Sequence, residues 1–319
     1  MHPAQRLSVH AVTDQFQAFV PEFLKSLDAQ DDRSFQLTLI DNASPDRAKA
    51  VTGDNVTILR NPKRQSWAKA HNQALALAFS RWGNEGLEQR AVCITTTRAV
   101  LAPEALGQLM ATLDRDAALA IVCPKILASR VILADDGEAQ EFELGNRIIT
   151  AGGLMAKGRR PIWRGAGEMD SAAWSGVSEV FFPHPALFIV RASHLKVLAA
   201  SGPWFDETLD PLAGVIDLAW RLKLLGGRAV CVERAVTWVQ SPPQNRTTRR
   251  VDGLAAMQAA SRSDAMGVRI RHLPWILLER LRLLLLGGVV WPSLARWRLR
   301  ALRSKEARAT PSEMAQWFV

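Results

Sequence analysis

The sequence predicts an α/β fold in which a mostly parallel sheet is covered by helices on both faces. Short apolar and β-branched segments alternate along the chain with longer segments whose apolar residues recur at helical spacing. This alternation is typical of consecutive strand–helix–strand units. The clearest unit is the strand Ala91–Thr96, which ends in a short polar turn and is followed by a helix that begins near Pro103.

Each predicted element rests on its own local pattern. Apolar runs predict strands at 7–13, 35–40, 55–59, 91–96 and 120–123, and helical spacing predicts helices at 18–27, at about 66–82 and after Pro103. In open α/β sheets, ligands bind outside the carboxyl ends of the strands. We therefore expect the turn Thr96-Thr97-Arg98-Ala99 to line a cleft. This turn contains no carboxylate.

The charge of the chain is concentrated at one end. Its formal charge is +9, and residues 241–319 carry 14 Lys or Arg against 5 Asp or Glu, so residues 1–240 are balanced. This predicts a neutral domain over 1–240 and a basic helical extension over 241–319. Because the domain is neutral and the extension has no recognition motif, we do not expect nucleic-acid binding.

Cysteine usage and the N-terminal sequence indicate a compartment. Cys93, Cys123 and Cys231 lie far apart, each inside an apolar strand-like run, which favours buried free thiols over disulfides or metal ligands. Residues 1–9 show no charged segment followed by an apolar run, so we expect no secretory signal. Both observations favour the cytoplasm.

Seven motifs carry a resemblance to a known family. In chain order they are Asp41-Asn-Ala-Ser-Pro-Asp46, Arg60-Asn-Pro62, Ala68-x-x-x-Asn72-Gln73, Val100-Leu-x-Pro-x-Ala-Leu106, Ala151-Gly-Gly153 with Gly158-Arg159 and Arg164-Gly-x-Gly167-Glu168, Phe205-Asp-Glu207 and Asp217-Leu-x-Trp-Arg-Leu222. In order and spacing, residues 7–240 resemble the family-2 glycosyltransferases with the GT-A fold. The pattern is most similar to that of rhamnosyltransferase-like enzymes of surface-polysaccharide assembly.

The resemblance implies a nucleotide-sugar donor, here UDP- or dTDP-sugar, and a glycan or lipid-linked acceptor. The implied nucleotide-binding residues are Thr13, Asp41, Asn42 and Asn72. A carboxylate at a strand end, such as Asp41, can accept from a pyrimidine N–H and rejects ligands that leave it unpaired. Equally, Asp41 and Asn42 can cap the turn that follows them, and one residue can do both.

Three of the family's catalytic motifs are absent from this sequence. The family's acidic pair, which holds a divalent cation, falls on Thr96 and Arg98, and its acidic base pair falls on Gly214 and Val215. A histidine that often follows the last strand falls on Val239. We therefore expect no divalent metal and predict a pseudo-glycosyltransferase, which keeps the fold as a scaffold. The end of the first strand is also unusual, since it reads Thr13-Asp14-Gln15 where an aromatic residue and Asn are typical.

The alternative is an active, metal-independent inverting transferase. Arg98 would then bind the diphosphate in place of a cation, with Arg159 and Arg164 adding charge. The base would come from His184, Asp210 or Asp217, or from Asp206-Glu207. Against this, Arg98 can be a solvated turn residue, His184 a loop histidine and 206–207 part of a turn.

The basic extension reads LPWILLERLRLLLLGGVVWPSLARWRLRALRSK from residue 273. Its longest uncharged run, 283–295, has 13 residues, whereas a spanning helix needs about 20. We expect two amphipathic helices in the interface of an anionic membrane, on the inner face of the plasma membrane. The expected membrane residues are Trp275, Arg280, Arg282, Trp291, Arg296, Trp297, Arg298 and Arg300. Alternatively the helices pack on the domain or on a partner, such as a second copy or an active glycosyltransferase.

Overall fold

The computed structural model describes residues 6–45, 53, 55–133, 140–240, 246–263, 266–285, 309 and 311–319. Its strands are β1 Leu7–Thr13, β2 Phe35–Asn42, β3 Val56–Asn61, β4 Ala91–Thr96, β5 Ala99–Leu101, β6 Leu119–Leu133, β7 Gln140–Thr150, β8 Gly153–Met155, β9 Pro161–Trp163, β10 Val177–Glu179, β11 Leu187–Arg191 and β12 Arg228–Gln240. Its helices are α1 Phe16–Asp28, α2 Trp67–Trp82, α3 Ala105–Arg115, α4 Ala192–Ala199, α5 Pro211–Leu224, α6 Arg246–Ser263, α7 Met266–Arg271, α8 Leu273–Leu285 and α9 Pro311–Gln316.

One large sheet organises the molecule, with the strand order β10-β12-β6-β11-β4-β1-β2-β3. The strands β4, β1, β2 and β3 run parallel, as do β6 and β12. Strand β11 lies antiparallel between β4 and β6, and β5 and β7 add antiparallel pairs to β12 and β6. The predicted α/β fold is confirmed, and every strand expected from an apolar run is found.

Helices cover both faces of the sheet because the strands are apolar on both sides. In β4, Ala91 and Cys93 pack with α1 and α3, whereas Val92 and Ile94 point to the opposite face and pack with α2, α4 and α5. This alternation follows from the two-residue period of a strand. The three cysteines are buried free thiols, as expected.

The described part of the basic extension packs against residues of the 1–240 segment. Ala255, Ala259 and Val268 belong to the same hydrophobic cluster as α5. The ring of Phe318 lies 5.8 Å from that of Phe181 and 5.6 Å from that of Trp220. The backbone there is also tied to β8, because the Val319 N–H donates to the Met155 carbonyl at 3.0 Å. These residues therefore complete the core on one face of the sheet.

Candidate functional site

The carboxyl ends of three neighbouring strands bring the predicted site residues together. Thr13 at the end of β1 is in register with Asp41 at the end of β2. On its other side, Val12 of β1 is in register with Thr96, the last residue of β4. Thr13 and Asp41 are both buried, and Thr96 is half-buried. The sheet thus forms one edge that carries the ends of β2, β1 and β4 side by side.

Asp41 and Asn42 both anchor backbone at this edge. The Asp41 carboxylate accepts from the Ser44 N–H at 2.9 Å, so its predicted turn-capping role is confirmed. The Asn42 amide accepts from the Gln65 N–H at 2.9 Å and donates to the Gln65 carbonyl at 3.0 Å. Asn42 therefore holds the loop that precedes α2, and a nucleotide contact for either residue stays a prediction.

Asn72 links α2 to the segment before α5. Its side chain donates to the Phe205 carbonyl at 2.9 Å and accepts from the Phe205 N–H at 3.1 Å. The nitrogen and the oxygen of the amide are thereby both hydrogen-bonded to the backbone of Phe205. The nucleotide contact expected for Asn72 remains untested, and the observed role is to position the loop that begins with Phe205.

Arg98 points from the turn after β4 toward the end of β1. One of its terminal nitrogens donates to the Gln15 side chain at 2.8 Å and lies 3.3 Å from a carboxylate oxygen of Asp14. Its guanidinium carbon lies 4.0 Å from the centre of the Phe19 ring. Asp14 also accepts from Arg64 at 2.7 Å. The guanidinium is therefore fixed by three neighbours, so it is not a freely solvated turn residue.

The residues at the strand end do not fit a divalent cation. Hard cations need several oxygen ligands, with carboxylates foremost. Here the end of β4 offers one threonine hydroxyl beside a guanidinium, and Asp14 is already paired with two arginines. Within the described ranges no group of three or more His, Cys, Asp or Glu side chains is close enough to hold a metal.

Helix α5 begins where the family would carry its base. Asp210 is the N-cap, and its carboxylate accepts from the Ala213 N–H at 2.9 Å. A side chain at Gly214 would face Trp67 and Phe205, and Val215 is fully buried. Asp217 is buried against Arg221 at 2.9 Å, and Arg221 in turn donates to the backbone at Pro203. Asp210 is exposed, whereas Asp217 is buried.

His184 has its ring fixed in one tautomer. Its Nδ1 lies 3.1 Å from the Ala186 N–H and must accept from it, so the neutral ring carries its proton on Nε2. Burial lowers the pKa of His184 to about 4. A neutral imidazole with this tautomer presents a donor rather than a base.

Arg159 and Arg164 do not join Arg98. Arg159 is buried with its guanidinium carbon 3.9 Å from the Phe318 ring centre. Arg164 pairs with Glu233 of β12 at 2.9 Å. Burial acts to raise the pKa of Glu233, but hydrogen bonds from Ser178 and Arg164 outweigh it and hold this pKa below its ordinary value. Both arginines thus have partners within the core, and their predicted diphosphate contact stays untested.

Residues 11–132 match the family model described as Glycosyl transferase family 2. This part of the chain is therefore similar to the family-2 glycosyltransferases. The matched region runs from the end of β1 through β4, and hence includes the strand-end edge with Thr13, Asp41 and Arg98. A comparison with curated proteins finds no match.

Three solved structures show the same GT-A fold as this chain. A mannosyltransferase from Pyrobaculum calidifontis in complex with GDP-Man and Mn2+ is 17% identical, with a TM-score of 0.52 over 88% of this chain and 71% of its own. GalNAc-T7 with UDP, GalNAc and Mn2+ is 14% identical, with a TM-score of 0.50 over 86% of this chain. S. aureus TarS 1-349 in complex with UDP is 16% identical, with a TM-score of 0.50 over 87% of this chain and 72% of its own. This chain spans only 56% of the GalNAc-T7 chain.

Two features of this site were not predicted from the sequence. The first is the set of partners that fix Arg98, although the unusual Asp14-Gln15 pair at the end of β1 was a signal for it. The second is Asp252 of α6, whose carboxylate accepts from the Trp163 indole N–H at 2.9 Å. Nothing in the local sequence around Asp252 indicates that α6 packs against β9 and α5.

Proposed function

We propose that this chain is a pseudo-glycosyltransferase of cell-surface polysaccharide assembly, which holds a nucleotide or glycan without ordinary metal-dependent transfer. The observation that carries the proposal is the ion pair and hydrogen bond of Arg98 with Asp14 and Gln15, at the position of the family's metal carboxylates. Rhamnosyltransferase-like enzymes provide the nearest motif pattern, and an active glycosyltransferase or a second copy of this chain is the expected partner.

The electrostatics support this proposal. A departing diphosphate has to be stabilised, which the family achieves with a cation on carboxylates. Arg98 supplies one positive charge here, which the neighbouring Asp14 carboxylate partly offsets, so it replaces a divalent cation only in part. Gly214 and Val215, at the family's base positions, offer no acid to take a proton from an acceptor hydroxyl, and the Asp210 carboxylate before them accepts from the Ala213 N–H.

Nucleotide binding itself is supported by the strand-end edge. Thr13 and Asp41 stand in register at the carboxyl ends of β1 and β2, which is where open α/β sheets bind their ligands. The similar structures named above hold UDP or GDP-mannose. We expect UDP or dTDP to bind here with its base near Asp41 and its diphosphate toward Arg98.

Calorimetric titration with UDP and dTDP, each with Mn²⁺ and with EDTA, tests the nucleotide site. We expect binding that does not depend on metal and that weakens about tenfold or more in Arg98→Ala, which loses a charge-assisted contact. Lys63→Ala, which removes an exposed cation from the loop before α2, is the matched control. Binding that requires Mn²⁺ would contradict the proposal, as would release of UDP from a UDP-sugar under metal-dependent turnover.

The second candidate function is metal-independent inverting transfer from UDP- or dTDP-sugar to a glycan or lipid-linked acceptor. The observation in its favour is that Arg98 keeps about a third of its side-chain surface exposed (34%) at the strand-end edge. The two functions are distinguished by incubating donor sugars with candidate acceptors in EDTA. Formation of a glycosidic product, abolished in Arg98→Ala, would favour transfer, and its absence would favour the pseudo-glycosyltransferase.

We further propose that α8 rests on an anionic membrane surface. Its inner stripe contains Glu279 and Leu283, which are buried against the domain. Its outer stripe is apolar instead of polar, with Leu277, Leu278, Leu281 and Leu285 all exposed. A contiguous apolar stripe of this kind is typical of a surface that meets a membrane or a partner.

The charges around the α8 stripe favour the membrane. Exposed Arg271 and Arg280 flank the stripe, which suits a negatively charged leaflet. Of the other expected membrane residues, Trp275 is exposed on α8 and Arg282 pairs with Glu279 at 2.8 Å. Within the described ranges, no helix is both long enough and apolar enough to cross a bilayer.

Flotation with vesicles of phosphatidylglycerol and phosphatidylcholine tests this placement. We expect the protein to float with anionic vesicles at low salt and the double variant Leu277→Asp/Leu281→Asp to stay in solution. Val197→Asp, on the exposed face of α4, is the matched control and should float. Binding that is equal in the double variant would assign the α8 stripe to another partner. Trp291, Arg296, Trp297, Arg298 and Arg300 lie outside the described residues, so the second predicted helix is tested only by deleting 286–305.

A further inference from the structure

Three side chains from distant parts of the chain meet beside the candidate site. Trp163 comes from the end of β9, His184 from the loop before β11 and Asp252 from α6. The Trp163 ring centre lies 5.3 Å from that of His184, and the Trp163 indole N–H donates to Asp252 at 2.9 Å. All three side chains are half-buried, so each keeps part of its surface accessible.

This cluster adjoins the strand-end edge on the side of α5. The loop that carries His184 continues to Ala186, whose carbonyl accepts from the Thr95 hydroxyl at 2.8 Å and from the Thr96 N–H at 3.3 Å. On its other side, Asp252 lies near enough to Asp210 for the charge of that N-cap to raise the pKa of Asp252. The cluster thus stands between the end of β4 and the start of α5.

The chemistry of the three groups is complementary to a sugar ring. The indole packs against Phe182 and His184, and the part of it that stays exposed is an apolar surface for the C–H groups of the ring. The His184 Nε2–H is a donor, because Nδ1 already accepts from Ala186, and a hydroxyl oxygen can receive it. The Asp252 carboxylate is an acceptor for hydroxyl protons, and in the described part of the chain its hydrogen-bond donor is Trp163. An apolar wall with a few convergent polar groups is typical of a small-ligand site.

We propose that Trp163, His184 and Asp252 form a subsite for one neutral sugar residue of a glycan. The inference rests on the proposed function, since it assigns the glycan-binding side of the same cleft. Burial raises the pKa of Asp252, the Asp210 charge adds to this, and the Trp163 hydrogen bond opposes it. The subsite needs no metal and no catalytic step, so it serves a scaffold and a transferase equally.

The indole N–H signal of Trp163 in a nitrogen-15 NMR spectrum reports this subsite. The signal is assigned by its loss in Trp163→Phe, and the probes are the methyl glycosides of rhamnose, glucose, galactose and N-acetylglucosamine. We expect at least one probe to shift the Trp163 signal in a saturable manner. In Asp252→Asn, which keeps an oxygen to accept from Trp163, the affinity should fall about tenfold through loss of a charged acceptor.

The chain offers a matched control in a second indole–carboxylate pair. Trp174 donates its indole N–H to Glu168 at 3.2 Å on an exposed surface. Its signal should not move in the same titration, and Glu168→Gln should bind the probe as the unmodified protein does. If no probe moves the Trp163 signal, or if Asp252→Asn binds equally well, the subsite is overturned. Nucleotide binding is measured separately by calorimetry, so failure of the subsite is distinguishable from failure of the proposed function.

Discussion

Arg98 stacks on Phe19, with 4.0 Å between its guanidinium carbon and the ring centre. This contact joins the turn after β4 to the first helix, and the Asp14 carboxylate completes it at 3.3 Å. An arginine at this position therefore contributes to the fold as well as to the electrostatics of the strand-end edge. Arginine suits the role because its planar group stacks on an aromatic face while its edge donates to oxygens.

Replacement of Arg98 by lysine should separate these contributions. In Arg98→Lys the new ammonium group would keep the charge but could not stack and donate at once, so we expect the free energy of unfolding to fall by about 0.5–1 kcal/mol. Urea denaturation measures this change. Arg64→Lys, whose side chain is largely exposed at its own contact with Asp14, is the control and should be nearly neutral. Equal losses in the two variants would contradict a stacking role.

Rebuilding the acidic pair should restore metal binding. In the double variant Thr96→Asp/Arg98→Asp, two carboxylates would stand one residue apart at the end of β4, and a divalent cation would no longer meet a guanidinium. We expect Mn²⁺ to strengthen UDP binding by this variant and to leave the unmodified protein unchanged, as measured by calorimetry. The same variant with Asp14→Asn controls for the carboxylate that Arg98 releases. Mn²⁺ dependence in the unmodified protein would mean that the position of the metal pair has been misassigned.

Asn72→Ala should loosen the start of the α5 segment. The substitution removes both hydrogen bonds to Phe205, and each is worth about 1 kcal/mol, so the free energy of unfolding should fall by about 2 kcal/mol. Gln73→Ala, at the exposed neighbouring position of α2, should change it little. Thermal or urea unfolding of the two variants gives the comparison. A loss in nucleotide affinity without loss of stability would instead favour the direct contact predicted from the motif.

Stability should fall on acidification because buried histidines are held neutral. Burial, with a smaller contribution from Arg81, lowers the pKa of His10 from 6.5 to about 3. The unfolded chain therefore takes up this proton first. The contribution of His10 to the free energy of unfolding is therefore fully present above pH 6.5. It is lost as the pH falls from 6.5 toward 3, at about 1.4 kcal/mol per pH unit. Burial also lowers the pKa of His71, so its effect has the same sign.

Urea denaturation at pH 7 and at pH 5 measures this dependence. His10→Gln, which cannot titrate, should show a smaller loss between the two pH values than the unmodified protein. His2→Gln, outside the described residues, is the comparison variant with the same chemical change. An unchanged pH dependence in His10→Gln would show that other groups cause the acid sensitivity.

Phe318→Ala should destabilise the whole domain. The ring is buried among Phe181, Trp220 and Arg159, and its removal leaves a cavity in the main hydrophobic cluster. We expect a loss of about 3–4 kcal/mol in the free energy of unfolding. Val319→Ala, an exposed neighbour, should be nearly silent. A similarly small effect in both variants would mean that the described end of the extension packs weakly on the domain.

Local sequence patterns predicted the strands and helices, because these depend mainly on residues that are close in the chain. The continuous apolar and β-branched run Ala91–Thr96 predicted a buried strand, and the apolar spacing after Ser66 predicted α2 within one residue. The position of Thr96 and Arg98 at the edge also followed from the strand end. Sequence could not predict that Arg98 would bind Asp14, because that contact joins residues 84 apart in the chain.

The same reason accounts for the features of the site that sequence missed. Asp252 reaches Trp163 across 89 residues, and only the packing of α6 on α5 and β9 brings them together. The residue type of His184 alone suggests a base. Its role as a donor depends on the backbone N–H of Ala186, whose direction is set by the local loop conformation. Periodicity carries no information on such contacts.

The central strands of the sheet have a kinetic consequence. β4 lies between β1 and β11, and the contact of Thr95 with Ala186 closes a loop of 91 residues. Loops of this length lose much chain entropy before their contacts form, which slows folding. We therefore expect the middle of the sheet to assemble late, and until it does the apolar strand Ala91–Thr96 is open to pairing with other chains.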